Sequence, residues 1–166
     1  EACDAATVGH MERTGEIAAL LAARADFPPR RVERLRRAAR LHDIGKSMIG
    51  QEILDKPGAL DPDEIAEMRR HTVIGHRLLA RSDDDHSWLA ALIALTHHEH
   101  FDGGGYPRGL VADQIPIESR IVAVARRLRR AAQRPALPPG GEARGRARAD
   151  RAGHRDPLRP DDRRSR

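Results

Sequence analysis

His42, Asp43 and Lys46 fall within one short run, His42-Asp43-Ile44-Gly45-Lys46. His97 and His98 stand side by side at the head of a second, His97-His98-Glu99-His100-Phe101-Asp102-Gly103-Gly104-Gly105-Tyr106-Pro107. Such side chains are scarce in ordinary cores, because buried charge and unpaired polar atoms cost free energy. Imidazole nitrogens joined by one carboxylate suit iron, zinc or manganese, whereas magnesium and calcium prefer all-oxygen shells. Neighbouring residues on a helix diverge by about 100°, so His97 and His98 can serve two ions. Asp43 can bridge the pair with one oxygen to each. Two ions about 3.5–4 Å apart activate a hydroxide and steady both oxygens of an in-line phosphoryl displacement. Lys46, one turn beyond His42 and Asp43, is placed to neutralise a phosphate oxygen. The chemistry this pattern points to is cleavage of a phosphate ester.

His10 and His71 are further candidates for the same centre. A lone histidine is more often a surface group or a hydrogen-bonded core group, and two adjacent histidines can simply end a helix. The glycine run 103–105 can be only a turn. The joint pattern carries the reading. His76, His86, His100 and His154 are set aside as non-ligands.

The elements that must hold these groups read as helices. Ile17, Leu20 and Leu21 share a face of a helix running from about Thr7 to Arg24. Val32, Leu35, Ala38, Ala39 and His42 are spaced by three and four on a second, which His42 and Asp43 end. Asp61 as N-cap, Pro62 at the first position and Glu64 at the third open another, with Ile65, Met68 and Leu79 on its apolar face. A fourth runs from about Ser87 through Leu89, Leu92, Ile93 and Thr96 into the histidine pair. Pro116 opens a fifth, with Ile117, Ile121 and Val124 on one face. No alternating strand pattern of useful length occurs, so the expected class is all-α, a helical bundle.

At 166 residues the chain is one domain's worth, and its four aromatics (Phe27, Trp88, Phe101, Tyr106) imply an aliphatic core. One cysteine, Cys3, cannot make an internal disulfide, which points to a reducing, cytoplasmic setting. No apolar run approaches the ~20 residues of a membrane span. The chain opens on Glu1, which reads as a fragment of a longer protein, with a receiver or sensor domain expected upstream. The net charge of +5 belongs to the tail: residues 1–125 hold 16 Lys and Arg against 20 Asp and Glu, and residues 126–166 hold 14 Arg against 5 acids. Composition alone reads 126–166 as disordered, which sets the expected domain boundary between Ala125 and Arg126.

Taken in order, these motifs resemble the HD-GYP family, the branch of the HD phosphohydrolases that hydrolyses cyclic di-GMP in bacterial signalling. The likeness runs from about Asp4 to Ala125. It takes in Asp4 to His10, Leu41 to Lys46, Ile53-Leu54-Asp55-Lys56-Pro57-Gly58, and His71 with Gly75. It continues through His97 to Pro107 and through Ile115 to Val122. The resemblance implies an HD-type helical bundle that binds two divalent transition-metal ions, iron or manganese, with zinc, nickel or cobalt as alternatives. It implies His10, His42, Asp43, His71, His97 and His98 as metal ligands, and His42, Asp43 and Lys46 as the catalytic set. Lys46, Asp102, Gly103, Gly105, Tyr106, Pro107 and Arg120 would contact a cyclic dinucleotide substrate. The product would be the linear dinucleotide pGpG and, on further cleavage, GMP. The Gly-Tyr-Pro loop is also a place for protein partners.

Two departures qualify the likeness. Family members with a third metal carry a glutamate four residues before the first histidine, where this chain has Ala6. The family then continues from Val-Ala-Val-Ala into a metal-binding aspartate, where this chain has Arg126. A guanidinium cannot ligate a cation and brings positive charge against the site. One permitted set of codons for residues 126–135, read one base later, encodes Asp-Val-Phe-Asp-Ala-Leu-Arg-Ser-Gly, a continuation of the family pattern. The expectation is a one-base frameshift near codon 126 and an impaired enzyme. The alternatives are an inactive nucleotide-binding or protein-interaction module, and a basic tail that binds nucleic acid. The tail has the charge for that last role but no aromatic residue for stacking.

Overall fold

The structure is a computed structural model that describes residues 4–81 and 84–133, without the side chains of residues 4–8, 10, 85 and 86. Seven α-helices follow in order: α1 (Asp4–Arg24), α2 (Pro29–Arg40), α3 (Gln51–Leu54), α4 (Pro62–Arg69), α5 (His71–Leu79), α6 (Asp85–Thr96) and α7 (Ile117–Ala132). Two 3₁₀ turns, Ile44–Met48 and Ala112–Gln114, lie between them. Among the described residues there is no strand, only an isolated bridge between Asp102 and Val111. The all-α class stands. No described helix is long and apolar enough to cross a membrane.

The core is built mostly from small and branched aliphatics, as the shortage of aromatics requires. Ala18 and Ala22 of α1, Leu35, Ala38 and Ala39 of α2, Leu89, Ala90 and Ile93 of α6, and Ile121, Val122 and Ala125 of α7 form one buried cluster. α1 packs on α2 and α7, α2 on α6, and α6 on α5. Arg36 and Arg40 reach Glu16 across the α1–α2 seam, and Arg31 reaches Glu118 across the α2–α7 seam. These pairs are partly exposed and contribute little beyond register.

Several expected bounds move, each for a local reason. α2 ends at Arg40, so His42 and Asp43 lie in the turn beyond it and not on its last residues. The long helix expected from Asp61 is two. Its start has the full capping box, with Asp61 accepting from the Glu64 N–H and Glu64 accepting from the Asp61 N–H. It stops at Arg69 because side chains take the carbonyls of its last turn: His71 Nδ1 bonds Met68 O and Thr72 Oγ1 bonds Arg69 O. Leu20 is 68% exposed and does not join Ile17 and Leu21 against the core.

The largest difference is in α7. Its buried stripe is Ser119, Ile121, Val122, Ala125, Arg126 and Arg129, while Ile117 and Val124 are exposed. The helix does not stop at Ala125 but runs to Ala132. Alanine and arginine are strong helix formers, so 126–132 sustains a helix that mean hydropathy alone does not suggest. Arg126 follows Val122 by four and therefore falls on the inward stripe. Residues 134–166, the rest of the expected disordered tail, lie outside the described residues.

Candidate metal centre

Asp43 sits where the chain leaves α2, and the 3₁₀ turn after it holds it against α5. Gly45 makes that approach possible: a Cβ there would strike the His71 carbonyl and the Gly75 nitrogen. His71 opens α5, and His97 and His98 follow the last residue of α6. Three separate elements thus converge on one carboxylate.

Hydrogen bonds to backbone fix how the rings present themselves. His42 Nδ1 lies 2.7 Å from Ala39 O, and His71 Nδ1 lies 2.7 Å from Met68 O. His97 Nδ1 lies 3.0 Å from Ile93 O and 2.9 Å from Ala94 O. A carbonyl only accepts, so each Nδ1 carries the proton and a neutral ring turns its Nε2 lone pair inward. His42 Nε2 is 3.3 Å from Asp43 Oδ2, and His71 Nε2 and His97 Nε2 are each 3.4 Å from Asp43 Oδ1. His71 Nε2 and His97 Nε2 are 3.4 Å from each other. Burial disfavours the charged form of His71, His97 and His98. It pushes the His97 imidazole down to about 3, with Arg126 adding to the effect and Asp43 opposing it. It also pushes His71 down. Burial, then the neighbouring His97 and Arg126, push His98 down further.

Lone pairs turned on a carboxylate repel one another unless a cation lies among them. One donor atom each from Asp43, His71, His97 and His98 lies within 4.8 Å of the rest. Ligands on one transition ion, at bonds of about 2.0–2.2 Å, stand about 3–4 Å apart. The tautomers, the donor types and the spacing at Asp43, His71 and His97 therefore fit a divalent transition ion. Anchoring Nδ1 to a carbonyl is the usual outer support of a ligating histidine.

His98 differs. Arg126 Nη2 stands 3.2 Å from His98 Nε2 and donates into the lone pair that a metal would need. Burial disfavours the charge on Arg126 and lowers its guanidinium, yet no other protonation state is accessible near neutrality. Lys46 Nζ is 2.7 Å from Asp43 Oδ2, a second cation on the outer side of the carboxylate.

The glycine-rich loop closes over this edge. The Tyr106 ring stacks on His98 with centroids 4.5 Å apart and an interplanar angle of 18°. The Tyr106 N–H donates to the His98 carbonyl at 3.2 Å. Gly105 has no room for a side chain, since a Cβ would meet the backbone of Glu99 and His100. Gly103 takes φ +81°, Asp102 accepts from the Gly104 N–H, and the Tyr106–Pro107 peptide is cis.

Of the residues expected from sequence, the structure gathers His42, Asp43, Lys46, His71, His97, His98 and Tyr106. Arg120 is engaged elsewhere, with Nη1 on Asp113 Oδ1 at 3.1 Å. His10 lies on α1, but its side chain is outside the described residues. Two participants are new. Glu99, almost fully buried, accepts from the N–H groups of Arg108 (2.7 Å) and Leu110 (3.0 Å) and so ties down the loop. Arg69 lies over the Tyr106 ring, 4.9 Å from its centroid. Glu99 stood in the second motif as an acid beside two histidines, a signal available in the sequence. Arg69 carried none, because its contact is made only by folding.

Residues 3–143 match the family model described as HD domain. The chain is 46% identical over 122 residues to the cyclic di-GMP phosphodiesterase response regulator RpfG of Xanthomonas campestris pv. campestris, covering 74% of this chain and 32% of that one. It is 48% identical over 122 residues to a cyclic di-GMP phosphodiesterase of Thermotoga maritima, covering 74% of this chain and 33% of that one. A 3'3'-cGAMP-specific phosphodiesterase 2 of Vibrio cholerae is 40% identical over 125 residues, 75% of this chain and 24% of that one. The chain thus spans about a third or less of the length of these relatives. HD domains bind divalent metals, in keeping with the cluster of Asp43, His71, His97 and His98. With its ordered motifs, its ligand cluster and the match to residues 3–143, the chain belongs to the HD domain family and, within it, to the HD-GYP type.

Proposed function

We propose that residues 1–125 are the phosphohydrolase part of a longer protein that hydrolyses the 3′,5′-phosphodiester of cyclic di-GMP to the linear dinucleotide, and that Arg126 impairs it in this chain. The observation that carries this reading is the convergence of His42, His71 and His97 Nε2 atoms on Asp43. When bound there, divalent transition ions would supply Lewis acidity and a hydroxide at neutral pH. Asp43, His71 and His97 hold the charge in place, and His42 positions the second Asp43 oxygen. Lys46 exchanges part of its contact with Asp43 for a phosphoryl oxygen of the substrate. Tyr106, held by His98 beneath it and Arg69 against it, shapes the place for a guanine base, with Asp102, Gly103, Gly105 and Pro107 setting the loop. We assign two ions, iron or manganese, to the unimpaired site and fewer to this chain.

The frameshift near codon 126 is part of this proposal: an aspartate there would replace the guanidinium on the same inward stripe of α7. The second reading, a module that binds nucleotide without turnover, is favoured by one contact, Arg126 Nη2 on His98 Nε2. Incubation with cyclic di-GMP and Mn²⁺ or Fe²⁺, read by chromatography, separates the two. Slow formation of pGpG that Asp43→Asn abolishes supports the enzyme. Binding with no product, in the given and the reframed chain alike, supports the module.

A further inference from the structure

We propose that the cavity between α7 and the histidine pair is an oxyanion site that takes a phosphate group with no metal ion present. The cavity has a volume of about 120 Å³, and His98, Ala123, Arg126, Arg127 and Arg130 line it. Arg126 and Arg130 lie one helical turn apart on the same face of α7, with Arg127 beside them.

Arg126 is only 9% exposed. It donates one N–H to His98 Nε2 at 3.2 Å, and a guanidinium carries five such donors. Among the described residues no carboxylate lies within the 4.0 Å ion-pair distance of Arg126, Arg127 or Arg130. The acid that borders the cavity, Glu99, has both oxygens turned to the N–H groups of Arg108 and Leu110. A buried cation without a counter-ion is costly, and neighbouring guanidiniums add mutual repulsion. One oxyanion relieves both, because the planar fork of arginine matches two phosphate oxygens at once. The volume is well above the roughly 10–15 Å³ that a single water needs, so a small tetrahedral oxyanion has room. The same three charges turn a second metal ion away. The inference does not rest on hydrolysis, since a chain that cuts no phosphodiester would still bind the anion.

Isothermal titration of the full chain with inorganic phosphate, in EDTA at low salt, should give saturable binding at one site. Arg126→Gln and Arg130→Gln should each weaken it by about tenfold, the scale of a lost charge-assisted bond. Arg31→Gln, which removes the surface pair with Glu118 and the contact with the Phe27 ring, should leave it unchanged. GMP should bind as phosphate does, and guanosine should not. Arg130 is exposed, so Arg130→Gln tests the site even where Arg126→Gln perturbs folding, as checked by circular dichroism. Absence of saturable binding, phosphate affinity indifferent to a folded Arg130→Gln chain, or guanosine binding equal to that of GMP would each overturn the assignment. Because no metal and no turnover enter the titration, its failure is distinct from failure of the phosphodiesterase reading.

Discussion

Arg126 Nη2 donates to His98 Nε2 across 3.2 Å, so a guanidinium occupies the coordinating face of a candidate ligand. The contact follows from helix period. Position 126 lies four residues beyond the fully buried Val122, and whatever stands there points at the histidine pair.

Replacing that guanidinium should therefore open His98. Arg126→Asp removes the donor and supplies a carboxylate, and Mn²⁺ affinity should rise by about tenfold or more. Competition against a chelating dye measures it. Equal affinity in the two chains would mean that His98 does not contribute to the centre.

Asp43→Asn should release metal more completely than loss of any one ring, because both carboxylate oxygens face imidazole nitrogens at 3.3–3.4 Å. His86→Ala, at a position set apart from the ligand set by sequence, should leave metal content unchanged. Elemental analysis of the two variants after desalting tests the assignment. Loss of metal in His86→Ala and retention in Asp43→Asn would reverse it.

Stability should depend on pH through the buried rings. The His97 imidazole is lowered to about 3 in the folded chain and is near 6.5 when unfolded. Between those values the unfolded state binds more protons, so its contribution is complete above pH 6.5 and is lost as pH falls toward 3. His71 and His98 are shifted the same way. The thermal midpoint of the metal-free chain should fall steadily from pH 7 to pH 4, and the fall should be shallower in His97→Gln. A midpoint flat over this range would contradict the burial of neutral rings.

Glu99→Gln should loosen the loop that carries Tyr106. One amide oxygen cannot accept from both the Arg108 and Leu110 N–H groups as the carboxylate does, so one part-buried donor loses its acceptor, at a cost of about 1 kcal/mol. Hydrogen exchange should speed up at residues 106–111 while the α1–α2 core stays protected. Unchanged exchange at Arg108 and Leu110 would show that the loop stands without Glu99.

Much of this was legible from residue order. The apolar spacing gave the helical class, and the box at Asp61 and Glu64 gave the start of α4 to the residue. The histidine and aspartate runs named the groups that meet at Asp43. The chain ends of helices were less legible, because His71 and Thr72 stop α4 by side-chain bonds to carbonyls, a competition that periodicity does not register. The continuation of α7 to Ala132 was hidden by composition: four arginines in 126–130 read as solvated, yet Arg126 and Arg129 are buried. Arg126 was legible as a misfit in charge. That it would bond His98 depended on the register of α7 against α6.

The most direct test of the centre is its metal stoichiometry. The chain as given, the Arg126→Asp chain, and a chain reframed at codon 126 to read Asp-Val-Phe-Asp-Ala-Leu should be loaded with Mn²⁺ or Fe²⁺, desalted, analysed for metal and assayed on cyclic di-GMP. The given chain should retain fewer than two ions and show little or no hydrolysis. Arg126→Asp should recover part of both, and the reframed chain, whose Val, Phe and Leu complete the helix's apolar face, should recover most. Two stable ions and equal activity in the given and reframed chains would contradict the role assigned to Arg126 and the centre built around it.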